Sequence, residues 1–140
     1  MRKKVLEIDD SPLVRELCRM ALQGQVREII PAGSGCEAFD MLRKHPDTDL
    51  ILLDIHMPAM NGLAVLAAIR ETDSYRKVPV ILLSQRGDEG DIAQGLSLGA
   101  VNAVRKFENL NVLPGMVRRL RGSPIRPADA EQGALIDHHG

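Results

Sequence analysis

The residues of this chain best suited to shared chemistry are Asp9, Asp10, Asp54, Ser84 and Lys106. Each stands at or just past the end of a short apolar run: Val5 to Ile8, Leu50 to Leu53, Val78 to Leu83 and Val101 to Val104. Asp54 ends its run abruptly, and a loop containing Pro58 and Gly62 follows. Two like unit charges about 4 Å apart repel by about 4 kcal/mol at an effective dielectric near 20. If Asp9, Asp10 and Asp54 converge, they therefore need a cation or raised pKa values. Carboxylates with water and a substrate phosphate are the usual setting for Mg²⁺, with Mn²⁺ as the substitute. The backbone carbonyl of His56, just past Asp54, is a further candidate oxygen ligand. Its imidazole is expected to face solvent, because hard Mg²⁺ prefers oxygen. Taken singly, an acidic pair can favour a helix N-terminus, a Ser can cap and a Lys can be solvated surface. Their recurrence at successive strand ends is what points to a site.

Positioning these residues requires strands that end on one edge. A short run of large aliphatics between polar residues is how a strand buried on both faces of a parallel sheet reads. After the first strand, Val5 to Ile8, Ser11 is placed as an N-cap and Pro12 suits the first helical position. Leu13, Leu17, Met20 and Ala21 recur at helical spacing up to Gly24, the expected C-terminal cap. Val26 to Ile30 reads as the second strand. Ser34 and Glu37 form a capping-box pattern before a helix with Ala38, Met41 and Leu42 on its apolar side. A third helix runs from Asn61 to about Glu71. Gly87 to Leu98 is a weaker fourth, since Gly90 and Gly95 each cost about 1 kcal/mol relative to alanine. A last helix falls within Glu108 to Arg121, with Pro114-Gly115 disturbing its first part. Strands alternating with helices five times predict an α/β fold, a parallel sheet with helices on both faces. In such a sheet, ligands bind beyond the carboxyl ends of the strands.

With those residues in place, the chain resembles a response-regulator receiver domain, the phosphoacceptor half of two-component signalling. The resemblance covers roughly Lys3 to Leu120. It rests on Asp9-Asp10, on Asp54 followed by Met57-Pro58 and Asn61-Gly62, and on Ser84, Gly99-Ala100 and Lys106. The separations fit as well: 44 residues from Asp10 to Asp54, 30 to Ser84 and 22 to Lys106. The resemblance implies a doubly wound, flavodoxin-like sheet of strand order 2-1-3-4-5. It also implies that Asp54 takes a phosphoryl group from a sensor histidine kinase or a histidine phosphotransfer protein. Mg²⁺ would be held by Asp10, Asp54 and the His56 carbonyl, with Asp9 acting through water. Lys106 and Ser84 would each contact a phosphoryl oxygen. Such a protein hydrolyses its own acyl phosphate and is not a turnover enzyme. It signals by docking to a downstream protein, and the fourth and fifth helices could serve a dimer.

The sequence departs from the family pattern in three places. Phe107 follows Lys106 where Pro is usual, so that bond is expected to be trans or strained. Ala103 stands where an aromatic switch residue is common. Glu7 interrupts the first strand and is expected to face the site edge or a cation such as Lys4 or Arg105. The first two departures touch the output side and predict an atypical readout. Two alternatives stay open: a scaffold that never takes phosphate, and the receiver fragment of a longer DNA-binding or enzymatic regulator. An aspartyl phosphatase is disfavoured, because it would want an acid where His56 stands.

The bulk properties set outer limits. The chain has 140 residues, 44% of them apolar, enough for one core, and its net charge of −1 gives no electrostatic case for direct nucleic-acid binding. No apolar stretch approaches the roughly 20 residues that span a bilayer. Glu7, Asp9 and Asp10 break the only segment resembling a signal peptide, so a cytoplasmic location is expected. Cys18 and Cys36 fit no metal-ligand spacing and are expected to be buried thiols inside helices. Residues 1–121 are expected to form the domain, and 122–140, poor in apolar periodicity, a disordered tail or truncated linker.

Overall fold

The computed structural model of the protein describes residues 2–58 and 60–120. Five parallel strands alternate with five helices: β1 (Lys3–Ile8), α1 (Pro12–Ala21), β2 (Val26–Ala32), α2 (Gly35–Lys44), β3 (Leu50–Asp54), α3 (Gly62–Glu71), β4 (Val80–Ser84), α4 (Glu89–Ser97), β5 (Asn102–Arg105) and α5 (Leu113–Leu120). The sheet order is β2-β1-β3-β4-β5. This is the doubly wound architecture expected from the alternation of elements. The expected tail at 122–140 lies outside the described residues. No helix among the described residues is long and apolar enough to cross a membrane.

Both faces of the sheet are covered, which is why β3 and β4 are buried at every position. Leu6, Ile8, Ile51, Leu53 and Leu82 point toward α2, α3 and α4, where Leu42, Leu66 and Ile69 close the core. Val5, Leu50, Leu52, Ile81 and Leu83 point the other way, against Val14 and Cys18 of α1 and Val117 of α5. Each fully buried large aliphatic side chain contributes about 1.5–3 kcal/mol by leaving water.

Several local expectations are refined. Ser11 caps α1 by accepting from the Val14 N–H (3.2 Å). The helix ends at Ala21, and Gly24, with φ +80°, serves the turn beyond its C-cap Leu22. Ser34 caps α2 by accepting from the Glu37 N–H (3.1 Å), but the Glu37 carboxylate reaches back to the N–H of Gly33, not Ser34. Pairing of β4 starts two residues later than expected, because the Val78 N–H turns back to the Tyr75 carbonyl. Gly87, with φ +88°, sits in the turn before α4, so the helix starts only at Glu89. A short 3₁₀ turn, Leu110–Val112, precedes α5, and Pro114 falls in the first turn of that helix, where its missing N–H costs nothing.

One expectation is overturned, and another is narrowed to its site-edge alternative, since Asp9 and Lys106 act on Glu7. Cys36 is exposed, while Cys18 is buried. The buried stripe of α2 is Gly35, Ala38 and Leu42, at helical spacing, and position 36 falls outside it. Glu7 meets neither Lys4 nor Arg105. Alternation along β1 puts it on the α1–α5 face with Val5, whereas Lys4 pairs with Glu28 and Asp47, and Arg105 with Glu89 and Glu108.

Candidate functional site

Register brings the chemistry-bearing residues together. Ile8 stands opposite Leu53, so Asp9 and Asp54, the next residues, emerge side by side. Ser84 stands opposite Arg105, so Lys106 leaves the sheet beside them, its N–H donating to the Ser84 carbonyl (2.9 Å). The ligand atoms of Asp9, Asp10 and Asp54 lie within 4.8 Å of one another. Asp10 is exposed, whereas Asp9, Asp54, Ser84 and Lys106 are buried.

Lys106 is the charge that holds this cluster. Its Nζ lies 2.8 Å from Asp54 Oδ1 and 3.4 Å from Asp9 Oδ2. Burial pulls the ammonium pKa down, but the two carboxylates outweigh it and hold it above its ordinary value. For Asp54 and Asp9 burial wins in the other direction, and both pKa values are raised despite Lys106. Asp9 Oδ1 accepts from the Ser11 N–H (2.8 Å), and Asp54 Oδ1 from the His56 N–H (3.0 Å). Asp54 Oδ2 is buried without a hydrogen-bond partner among the described residues, and Asp9 Oδ2, also buried, has only the Lys106 ammonium near it, at 3.4 Å. Unsatisfied buried carboxylate oxygens are costly. Together with Asp10, they form an all-oxygen donor set that suits a hard divalent cation.

The loop after Asp54 is set by close backbone approach. The Gly62 N–H donates to the Ile55 carbonyl (2.8 Å). A Cβ at Gly62 would overlap the Asp54 carbonyl and come within 2.8 Å of Ile55 Cα. Asn61 caps α3 by accepting from the Leu63 N–H (2.7 Å). The cleft above is lined by Asp10, His56, Met57, Pro58, Met60 and Asn61, with a volume of about 560 Å³.

Ser84 lies at the site, but its hydroxyl donates to the Val104 carbonyl (3.2 Å) and not toward Asp54. The His56 imidazole is half exposed, and its Nε2 donates to Asp88 Oδ1 (2.6 Å), a partner the sequence did not flag. The loop after Lys106 is closed by Asn109, whose Oδ1 accepts from the Arg105 N–H (2.7 Å). Glu108 pairs there with both Arg86 (2.5 Å) and Arg105 (3.1 Å). Phe107 is 65% exposed, and its peptide bond to Lys106 is trans. Glu7 is fully buried beside the Cys18 thiol, neither carboxylate oxygen makes a close hydrogen bond among the described residues, and burial pushes its pKa up to about 8. Only its position in a strand expected to be apolar singled it out.

The family model for the response regulator receiver domain matches residues 5–118. The response regulator GtcR of Aneurinibacillus migulanus is 37% identical over 122 residues, covering 86% of this chain and 49% of that protein. The chemotaxis protein CheY homolog of Campylobacter jejuni is 30% identical over 129 residues, covering 91% of this chain and 99% of that one. The solved structure of Vibrio cholerae CheY4 superposes with a TM-score of 0.76 at 28% identity, covering 86% of this chain and 99% of that structure. The chain thus spans the whole of these chemotaxis proteins but about half the length of GtcR. On the strength of the family match and of full-length likeness to a CheY homolog, this chain belongs to the response regulator receiver domain family.

Proposed function

We propose that the unit spanning residues 1–121 is a phosphoacceptor switch, in which Asp54 takes a phosphoryl group from a phosphohistidine on a sensor histidine kinase or histidine phosphotransfer protein. The observation that carries this reading is the buried Asp54 carboxylate held 2.8 Å from the Lys106 ammonium, with Asp9 and Asp10 alongside. Such an arrangement stores negative charge where a phosphoryl group would bring more, and supplies one fixed positive charge to receive it.

The donor set fits Mg²⁺ or Mn²⁺, held by Asp10, Asp54 and the His56 carbonyl, with Asp9 acting through water. When bound, the cation offsets charge on the transferring group. An Asp54 carboxylate oxygen forms the new P–O bond as the P–N bond to the partner's imidazole breaks. The departing imidazole keeps the electron pair of that bond and takes a proton from solvent. Lys106 pairs with a phosphoryl oxygen from nearly its present position. Ser84 turns about χ1 from the Val104 carbonyl to another phosphoryl oxygen. Positioning and electrostatics supply the catalysis, as in phosphoryl transfer generally. The same cleft admits water for self-hydrolysis of the acyl phosphate, so the protein resets itself.

The magnitudes suffice for a switch. Moving a two-state equilibrium from 1:99 to 99:1 takes about 5.5 kcal/mol. Hydrogen bonds to charged groups contribute about 1.5–3 kcal/mol each, so new contacts from Ser84 and Lys106 supply most of it. The readout differs from the usual one, because Ala103 has no ring to reorient and Phe107 replaces the usual Pro. A downstream protein target would read the surface of α4, β5 and α5, which is also where a dimer would form. Intact-mass analysis after incubation with Mg²⁺ and acetyl phosphate tests the proposal. One added phosphoryl group, lost in Asp54→Asn, is expected; no addition would overturn it.

A further inference from the structure

A second cluster of metal-ligating side chains lies outside the acidic site. Asp88 occupies the N-cap position of α4, yet its side chain makes no capping hydrogen bond. The side chain is only 7% exposed. Its Oδ2 accepts from the Gln85 N–H (2.6 Å), and its Oδ1 meets His56 Nε2, also at 2.6 Å. Asp91, three residues further along α4, adds a carboxylate on the same side of the helix. The three ligand atoms, one imidazole nitrogen and two carboxylate oxygens, lie within 4.8 Å of one another.

The donor type separates this cluster from Asp9, Asp10 and Asp54. Three oxygens suit a hard ion such as Mg²⁺, whereas an imidazole nitrogen with two carboxylates suits a borderline ion such as Zn²⁺. Bonds of about 2.0 Å in a tetrahedral Zn²⁺ site place ligand atoms about 3.3 Å apart. The His56–Asp88 pair therefore needs to open by only about 0.7 Å from its present 2.6 Å. Asp88 is already oriented from outside the cluster, because the Gln85 backbone fixes its other oxygen. Hydrogen bonds of that kind hold metal ligands in place. His56 is half exposed, which leaves a path for the ion and room for water as a fourth ligand.

We propose that His56, Asp88 and Asp91 form a site for one zinc-class divalent ion, distinct from the acidic site at Asp54. The ion would tie the loop after Asp54 to the first turn of α4, two segments now joined there by the His56–Asp88 hydrogen bond.

Titration of the full chain with Co²⁺ in excess Mg²⁺ tests this, followed by displacement with Zn²⁺. Ala in place of His138 and His139 removes two competing imidazoles near the end of the sequence. The expected result is one Co²⁺ equivalent with the visible absorption of a low-coordinate nitrogen–oxygen site, retained in Asp54→Asn. Affinity should fall at least tenfold in Asp91→Asn and in His56→Gln, given that loss of supporting groups alone costs ten- to a hundred-fold. Asp91→Asn changes a helical residue without altering its size, so a folding defect does not confuse the result. Absence of the absorption, its loss in Asp54→Asn, or an affinity unchanged in Asp91→Asn would overturn the proposal.

Discussion

Lys106 Nζ stands 2.8 Å from Asp54 Oδ1, and both groups are buried. No other ammonium or guanidinium among the described residues forms an ion pair with Asp54 or Asp9. Removing one partner of a buried ion pair costs about 3–5 kcal/mol, because the other is left uncompensated. Lys106→Met should therefore lower unfolding free energy in metal-free buffer by about 3 kcal/mol, read by guanidinium denaturation. Its rate of phosphorylation by acetyl phosphate should also fall at least tenfold.

Glu7 offers a pH test with a defined sign. Burial, opposed by the neighbouring Cys18 and reinforced by Asp9, raises its pKa to about 8 in the folded chain from an ordinary value of 4.5. Between those values the folded state holds a proton that the unfolded state has released. Its contribution is therefore present below pH 4.5 and is lost as pH rises toward 8. Glu7→Gln should remove this dependence. Relative to the variant, the parent should lose up to about 1.4 kcal/mol per pH unit across that interval, read by denaturation in metal-free buffer.

The two glycines of α4 should respond oppositely to alanine. A Cβ at Gly90 would meet nothing within 4 Å, while one at Gly95 would overlap Leu82 Cδ1 and come within 3.3 Å of Leu63 Cδ2. Gly90→Ala should raise stability by about 0.5–1 kcal/mol through helix propensity. Gly95→Ala should lower it by about 1–3 kcal/mol through overpacking. Thermal denaturation of the two variants checks both signs.

Ser84 donates its hydroxyl to the Val104 carbonyl in a buried setting (3.2 Å). Ser84→Ala should cost about 1 kcal/mol of stability in the unphosphorylated chain. If Ser84 turns to the phosphoryl group, the variant should also lose the change in hydrogen exchange across residues 85–98 that phosphorylation produces in the parent. An undiminished change would show that this segment responds without Ser84.

Most of the fold was legible in the sequence because its signals are local. Apolar runs of four to six residues, separated by helical periodicity, specify buried parallel strands whatever the distant contacts are. Ser11 and Ser34 announced their helices through their own side chains. Errors arose where tertiary contacts decide. The backbone turn at Tyr75–Val78 postponed β4, and Gly95 is set against Leu82 by the packing of α4 and not by helix propensity. Glu7 lay on the opposite face of β1 from the cation first considered, because alternation along a strand overrides nearness in sequence.

The sequence by itself determined that four of the five strands would end in Asp9-Asp10, Asp54, Ser84 and Lys106, since residue type and spacing are one-dimensional facts. Only the tertiary structure decided which of their atoms meet. The register of β1 with β3 places Asp9 beside Asp54, and that of β4 with β5 delivers Lys106 to both. Side-chain direction is likewise decided in three dimensions: Ser84 faces Val104, and His56 crosses to Asp88. Buried polar groups take whichever partner the fold leaves within reach, and sequence does not encode that reach.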